Sequence, residues 1–107
     1  MSKKLKKEKH FLELLLTTDK DQVKALMESL TASQVEVLVE IFINLLHINT
    51  PKKTKDLLRR RQRLIKKLTS RQLTIATKYR TIRQHMRQVY DTLLSVKGKL
   101  LQLLRCL

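Results

Sequence analysis

Ile75, Tyr79, Ile82, Met86, Val89, Leu93, Val96, Leu100, Leu103 and Leu107 follow one another at steps that alternate between four and three. That spacing is a heptad, with Tyr79, Met86, Leu93, Leu100 and Leu107 at a and the others at d. A half-buried strand repeats every second residue, so an unbroken run of this kind commits the end of the chain to helix. The rest of the 107 residues agrees. One glycine (Gly98) and one proline (Pro51) leave little from which hairpin turns could be built. The expected fold is all-α, a small helical bundle of four to five helices ending in a long heptad-patterned helix over 72–107. Straight, those thirty-six residues would reach ~54 Å, longer than a compact body of this size. Part of the helix would have to project, break or pair with another chain, and Gly98 is where it could bend.

Start signals divide the chain before the heptad. Residues 1–9 read as a basic flexible arm, and 10–107 as a single helical domain. "HFLELLLTT" is a short amphipathic helix. Asp19 can cap the next, which carries Val23, Leu26, Met27 and Leu30 on one face. "TASQ" is a capping box, in which the Thr31 hydroxyl accepts from the Gln34 N–H and the Gln34 side chain reaches back. It opens "VEVLVEIFINLLHI", whose only polar strip is Glu36, Glu40 and Asn44. A helix apolar on nearly every side is a buried one, so this segment is the predicted core. Thr50 can cap the following helix, with Pro51 at its first position. "TSRQ", Thr69 to Gln72, repeats the capping-box pattern and is expected to open the heptad helix.

Charge splits the domain in two. Net charge is +15, yet residues 1–50 carry seven cations and seven anions. Residues 10–50 are read as the packing half, neutral once the lysines of the arm are counted with it, and residues 51–107 as a basic half with 17 cations against Asp56 and Asp91. At 100° per residue, Leu57, Leu58, Leu64, Ile65 and Leu68 fall within one arc of the fourth helix. Arg59, Arg60, Arg63, Lys66 and Lys67 fall opposite, so the aliphatics dock the helix and the cations face outward. Arg61 lies within the apolar arc and needs a partner; Glu36 or Glu40 is the expected one.

No reaction is specified. His10, His47 and His85 are scattered, without metal-ligand spacing among themselves or to Cys106. There is no phosphate-cradling glycine loop and no nucleophile elbow. Glu36 and Glu40 are spaced as metal carboxylates can be, but an arginine-pairing strip is the preferred reading. The expectation is a non-enzyme with no catalytic residue, metal or cofactor. Cys106, the single cysteine, allows no intramolecular disulfide. The opening apolar run is short and broken by Glu13, unlike a secretory signal. No segment reaches the ~18 uncharged apolar residues of a membrane span.

The basic half points instead to a polyanion. Between Lys52 and Arg87 stand 14 cations against Asp56 alone. Arginine, used where lysine would suffice for solubility, forks two donors onto phosphate oxygens. The candidate contacts are Lys52, Lys53, Lys55, Arg59, Arg60, Arg63, Lys66, Lys67, Arg71, Lys78, Arg80, Arg83 and Arg87. Aromatic residues are only 4%, too few for a base-stacking platform, and Phe42 and Tyr79 read as packing residues. Binding through phosphates, salt-sensitive and independent of sequence, is therefore expected. An anionic membrane surface fits less well, because the fourth helix lacks Trp and Phe and needs its apolar arc for the fold. The alternative is a helical assembly or adaptor protein that binds an acidic protein partner. It would oligomerise through Met86, Val89, Leu93, Val96, Leu100 and Leu103. Against that, the flanks of the seam carry Lys78, Arg83, His85, Lys97 and Lys99 and no acid, so identical chains would repel.

The apolar "QVKALMESLTASQVEVLVEIFINLLHIN", followed by "KKTKDLLRRRQRLIKKL" and a further basic helix, resembles a family. It is similar in pattern, over residues 14–90, to small basic proteins of Maverick/Polinton-type DNA transposons and adintovirus-like viruses. The resemblance implies a minor virion or core component that associates with DNA, located in the nucleus or the virion. The tail departs from that family's glycine-rich apolar segment. "SVKGKLLQLLRCL" has one glycine and keeps its charges, so a membrane-active tail is not carried over.

Overall fold

The computed structural model describes residues 2–45 and 51–107. Among them every regular element is an α-helix. In chain order these are α1 (Ser2–Lys7), α2 (Lys9–Thr17), α3 (Lys20–Glu28), α4 (Ala32–Leu45), α5 (Lys52–Arg60), α6 (Gln62–Thr69), α7 (Ile75–Gln84), α8 (Met86–Ser95) and α9 (Lys97–Arg105).

Two starts follow the caps read from the sequence. The Gln22 N–H donates to Asp19 Oδ1 at 2.9 Å and opens α3. The Gln34 N–H donates to Thr31 Oγ1 at 3.1 Å, and the Thr31 N–H to Gln34 Oε1 at 2.9 Å, completing the box before α4. A third start differs. Thr69 is the last residue of α6 and donates back to the Ile65 carbonyl, so it caps nothing. The cap of α7 is Thr74, whose hydroxyl accepts from the Thr77 N–H at 3.2 Å. Pro51 stands one position earlier than expected, at the N-cap of α5 with φ −57° and ψ 155°. Thr50 lies outside the described residues.

The helices outnumber the four to five expected because single residues bend the chain. Glu8, Arg61, His85 and Val96 have φ between −98° and −123° and ψ between 15° and 33°. None is glycine or proline. At Arg61 the ladder still runs through, with the Arg61 N–H on the Leu57 carbonyl at 3.0 Å and the Ile65 N–H on the Arg61 carbonyl at 3.0 Å. Such bends redirect a helix at small cost in hydrogen bonding. They are what closure requires: the body measures 29 × 28 × 28 Å, about half the length of the straight heptad helix. Gly98, the expected bend, sits inside α9 with open space around it.

The long heptad helix over 72–107 is therefore three helices, each with its own neighbours. α7 packs on α3, α4 and α6, α8 on α5, and α9 on α2. The middle of the seam faces inward, while Leu103 is exposed. Ile82, Val89, Leu93, Val96 and Leu100 are buried beside Phe42, Leu38, Met27, Leu15 and Leu68 in one core. Within the single chain these seam residues therefore belong to the core. Of the six residues read as an oligomer seam, Val89, Leu93, Val96 and Leu100 are core residues of the single chain. Met86 is half-buried, and only Leu103 is open, at 37%. The core also reaches the N-terminus. Residues 2–7, read as part of a flexible arm, form α1 and seat Leu5 at 1% exposure.

α4 is the central element, with Val35, Val37, Leu38, Val39, Ile41, Phe42 and Leu45 buried. Its burial is not complete on every side, since Ile43 is 40% exposed beside the polar strip. Buried threonines on α7 and α8 satisfy themselves along the helix: the Thr81 hydroxyl donates to the Thr77 carbonyl and that of Thr92 to the Gln88 carbonyl.

Candidate nucleic-acid interface

α5 and α6 are strongly amphipathic, and their orientation is fixed from the apolar side. Ile65 and Leu68 are buried, and Leu58 and Leu64 pack half-buried against the core. Seated this way, the two helices turn Lys52, Lys53, Lys55, Arg59, Arg60, Arg63, Lys66 and Lys67 to solvent. Arg71, in the turn that follows α6, is exposed as well. Asp56 is the one acid on these helices. A surface that presents fixed cations without neighbouring acids attracts a polyanion over roughly a Debye length, ~8–10 Å in physiological salt.

The remaining candidates do not all join that face. Lys78 is 7% exposed and lines a cleft with Lys4, Glu36, Glu40 and Ile75, so it is buried beside acids. Arg83 stacks over the Tyr79 ring at 5.8 Å, and the Tyr79 hydroxyl donates to the Glu28 carbonyl at the end of α3. Arg87 lines a groove of about 660 Å³ between α3 and α8, together with Lys20 and Lys24. Arg83 and Arg87 therefore belong to the α3 flank. Arg80 is exposed. The sequence reading treated the cations of 52–87 as one patch because charge runs show linear clustering, and the bends at Arg61 and His85 were not visible in them.

Arg61 was expected to pair with Glu36 or Glu40. Glu36 instead lies 3.8 Å from Lys4 Nζ. Arg61 is half-buried and lines a cleft with Arg60, Arg63, Leu64, Lys67, Thr81, His85 and Gln88. Its Nε is buried and has no hydrogen-bond partner among the described residues. Arg61 and His85, beside the α5–α6 cations, and Lys20 and Lys24, in the α3/α8 groove, are the cationic or titratable residues that the sequence reading left out of its contacts. Only for Arg61 was there a signal, its place in the apolar arc.

Among the described residues no three His, Cys, Asp or Glu side chains are grouped to hold a metal ion, and no helix is long and apolar enough to cross a membrane. Cys106 is a free, exposed thiol. No protein-family model, curated protein or solved structure matches the chain.

Proposed function

We propose that the protein binds nucleic acid, DNA in the first instance, through phosphate contacts and without reading sequence. One observation carries this reading: α5 and α6 hold Arg59, Arg60, Arg63, Lys66 and Lys67 in solvent while Ile65 and Leu68 anchor the opposite side. Arginine-rich helices of this kind meet phosphate oxygens with bidentate donors. No Phe, Tyr or Trp stands on α5 or α6, so base stacking has no platform there. The test is affinity for unrelated duplexes across a salt series. Five phosphate contacts give a slope of log K against log salt of about −4 to −5. A flat response, or a strong preference for one sequence, overturns the reading. A role as a minor virion or core component of a viral or mobile element, in the nucleus or the virion, extends the proposal and rests on the resemblance alone.

A second reading is an adaptor that binds an acidic protein partner, and the α3/α8 groove favours it. Val23, Met27, Met86 and Leu94 give this groove an apolar lining, and Lys20, Lys24 and Arg87 add three cations against Asp91. An amphipathic helix with acidic flanks is complementary to that arrangement. Nuclease treatment of the purified protein separates the two readings. Release of co-purifying nucleic acid supports the first, and protein free of nucleic acid from the first column supports the second.

A further inference from the structure

We propose that the cleft between the Arg61 bend and the His85 bend is a discrete pocket for a single phosphate group. The proposal rests on the phosphate-binding reading of the α5–α6 face and assigns it a fixed anchor point.

Three observations converge there. First, the cleft brings together side chains that linear order keeps apart. Arg63 and Lys67, four apart, share one face of α6, and Arg60 joins them from the end of α5. Arg61 enters from about 100° away. All four line one recess of about 250 Å³, closed on its other side by His85 and Gln88. Four cations and no acid line it, an arrangement that repels cations and suits an anion of more than one charge.

Second, Arg61 holds a donor in need of an acceptor. Its Nε is buried without a hydrogen-bond partner among the described residues. Buried donors are almost always satisfied, and an orphan in a native fold calls for an explanation such as an ion. Arg61 also lines the cleft, and a guanidinium turned to a phosphate there presents two donors in one fork.

Third, the walls favour phosphate over base. No Phe, Tyr or Trp lines the cleft, so there is no ring of that kind for a base to stack on. The Thr81 hydroxyl already donates to the Thr77 carbonyl at 3.0 Å. The donors left are the arginines, Lys67, the His85 ring N–H and the Gln88 amide, and all of them match tetrahedral oxyanions. The phosphate could be an internal diester of a nucleic acid or its terminal monoester, and the experiment separates these sources.

The full-length chain is titrated with inorganic pyrophosphate by calorimetry. It is then titrated with duplexes of one sequence bearing either 5′-phosphate or 5′-hydroxyl ends. Variants Arg61→Gln, Arg63→Gln and Arg105→Gln each remove one charge, the last outside the cleft on α9, and circular dichroism checks that each is folded. One pyrophosphate per chain is expected. Arg61→Gln and Arg63→Gln should each weaken it about tenfold, the size of one lost charge-assisted hydrogen bond. Arg105→Gln should leave it within about twofold. Should Arg61→Gln fail to fold, Arg63→Gln, at an exposed position, decides the matter. Weaker binding of hydroxyl-ended duplex would assign the terminal phosphate; equal binding would assign the internal diester. Equal losses for all three variants, or no pyrophosphate bound, overturn the pocket. Salt-sensitive duplex binding in that case leaves the wider reading standing. Conversely, pyrophosphate bound through Arg61 without any duplex binding supports the pocket and sinks the nucleic-acid reading.

Discussion

The Tyr79 hydroxyl donates to the Glu28 carbonyl at 2.5 Å, joining α7 to the end of α3 across 51 positions of sequence. The C-terminal carbonyls of a helix lack partners within it, so the phenol satisfies one of them and fixes where α7 crosses. Arg83 covers the ring from the other side. Tyr79→Phe keeps the ring and removes the bond. It should cost about 0.5–1.5 kcal/mol in urea unfolding. An unchanged midpoint would mean that water serves the Glu28 carbonyl equally well.

The caps give a paired prediction. Thr31→Ala removes one arm of a reciprocal box and should destabilise the fold by about 1 kcal/mol, and Thr74→Ala should do the same. Gln72→Ala should be close to neutral, although "TSRQ" shares with "TASQ" a Thr followed three residues later by Gln. A Gln72→Ala loss as large as that of Thr74→Ala would restore the capping role to the 69–72 segment.

These caps also show what was legible in the sequence. Asp19 and Thr31 were readable because a cap is a local event, settled within four residues. The repeat at Thr69 was local too, but the chain had two usable threonines, and packing of Ile75 and Ile82 decided for Thr74. The heptad announced helix, and helix is present; it did not say whether the seam packs within the chain or between chains. It could not announce the bends at His85 and Val96. Neither residue is a helix breaker, and the bends follow from three separate neighbours, α3/α4/α6, α5 and α2, which no linear pattern names. Gly98 drew attention for its flexibility and turned out to need none. The outward cations of α6 were readable from helical period alone. The split of Arg83 and Arg87 from them was not, because it depends on the same bends.

Burial of the seam inside one chain predicts a specific response to mutation. Leu93→Ala removes a side chain of 1% exposure and should cost about 2–5 kcal/mol. Leu103→Ala, at an exposed position, should cost far less. Changing Leu93, Leu100 and Leu103 together to polar residues should unfold the body. Loss of the circular-dichroism signal is the expected result. A folded variant with a reduced sedimentation coefficient would instead show that the seam joins chains.

Leu5 sits in the core at 1% exposure, so the lysine-rich start has a structural role beyond its charge. Leu5→Ala should lower stability by about 2–4 kcal/mol. Lys3 and Lys6, both exposed, should tolerate replacement by glutamine within about 0.5 kcal/mol. If removing residues 1–7 leaves the unfolding midpoint unchanged, α1 contributes nothing to the body.

Charge reversal distinguishes the two faces. Arg59, Arg60 and Arg63 stand on the α5–α6 face, and Lys20, Lys24 and Arg87 line the α3/α8 groove. Reversing either trio to glutamate changes net charge by the same amount, so the long-range field of the whole protein changes comparably. Only local contacts differ. If phosphates are held on α5–α6, the first trio should abolish measurable duplex binding and the second should weaken it only through the field. The slope separates the effects, because each lost phosphate contact flattens log K against log salt by about 0.9. Substituting glutamine for the first trio should therefore lower the slope by about 2–3, while glutamine in the second leaves it near the wild-type value. All six residues are exposed, so helicity should be unchanged in both. Equal slopes for the two glutamine trios would mean that duplex binding has no preferred face, and the amphipathic orientation of α5 and α6 would then serve folding alone.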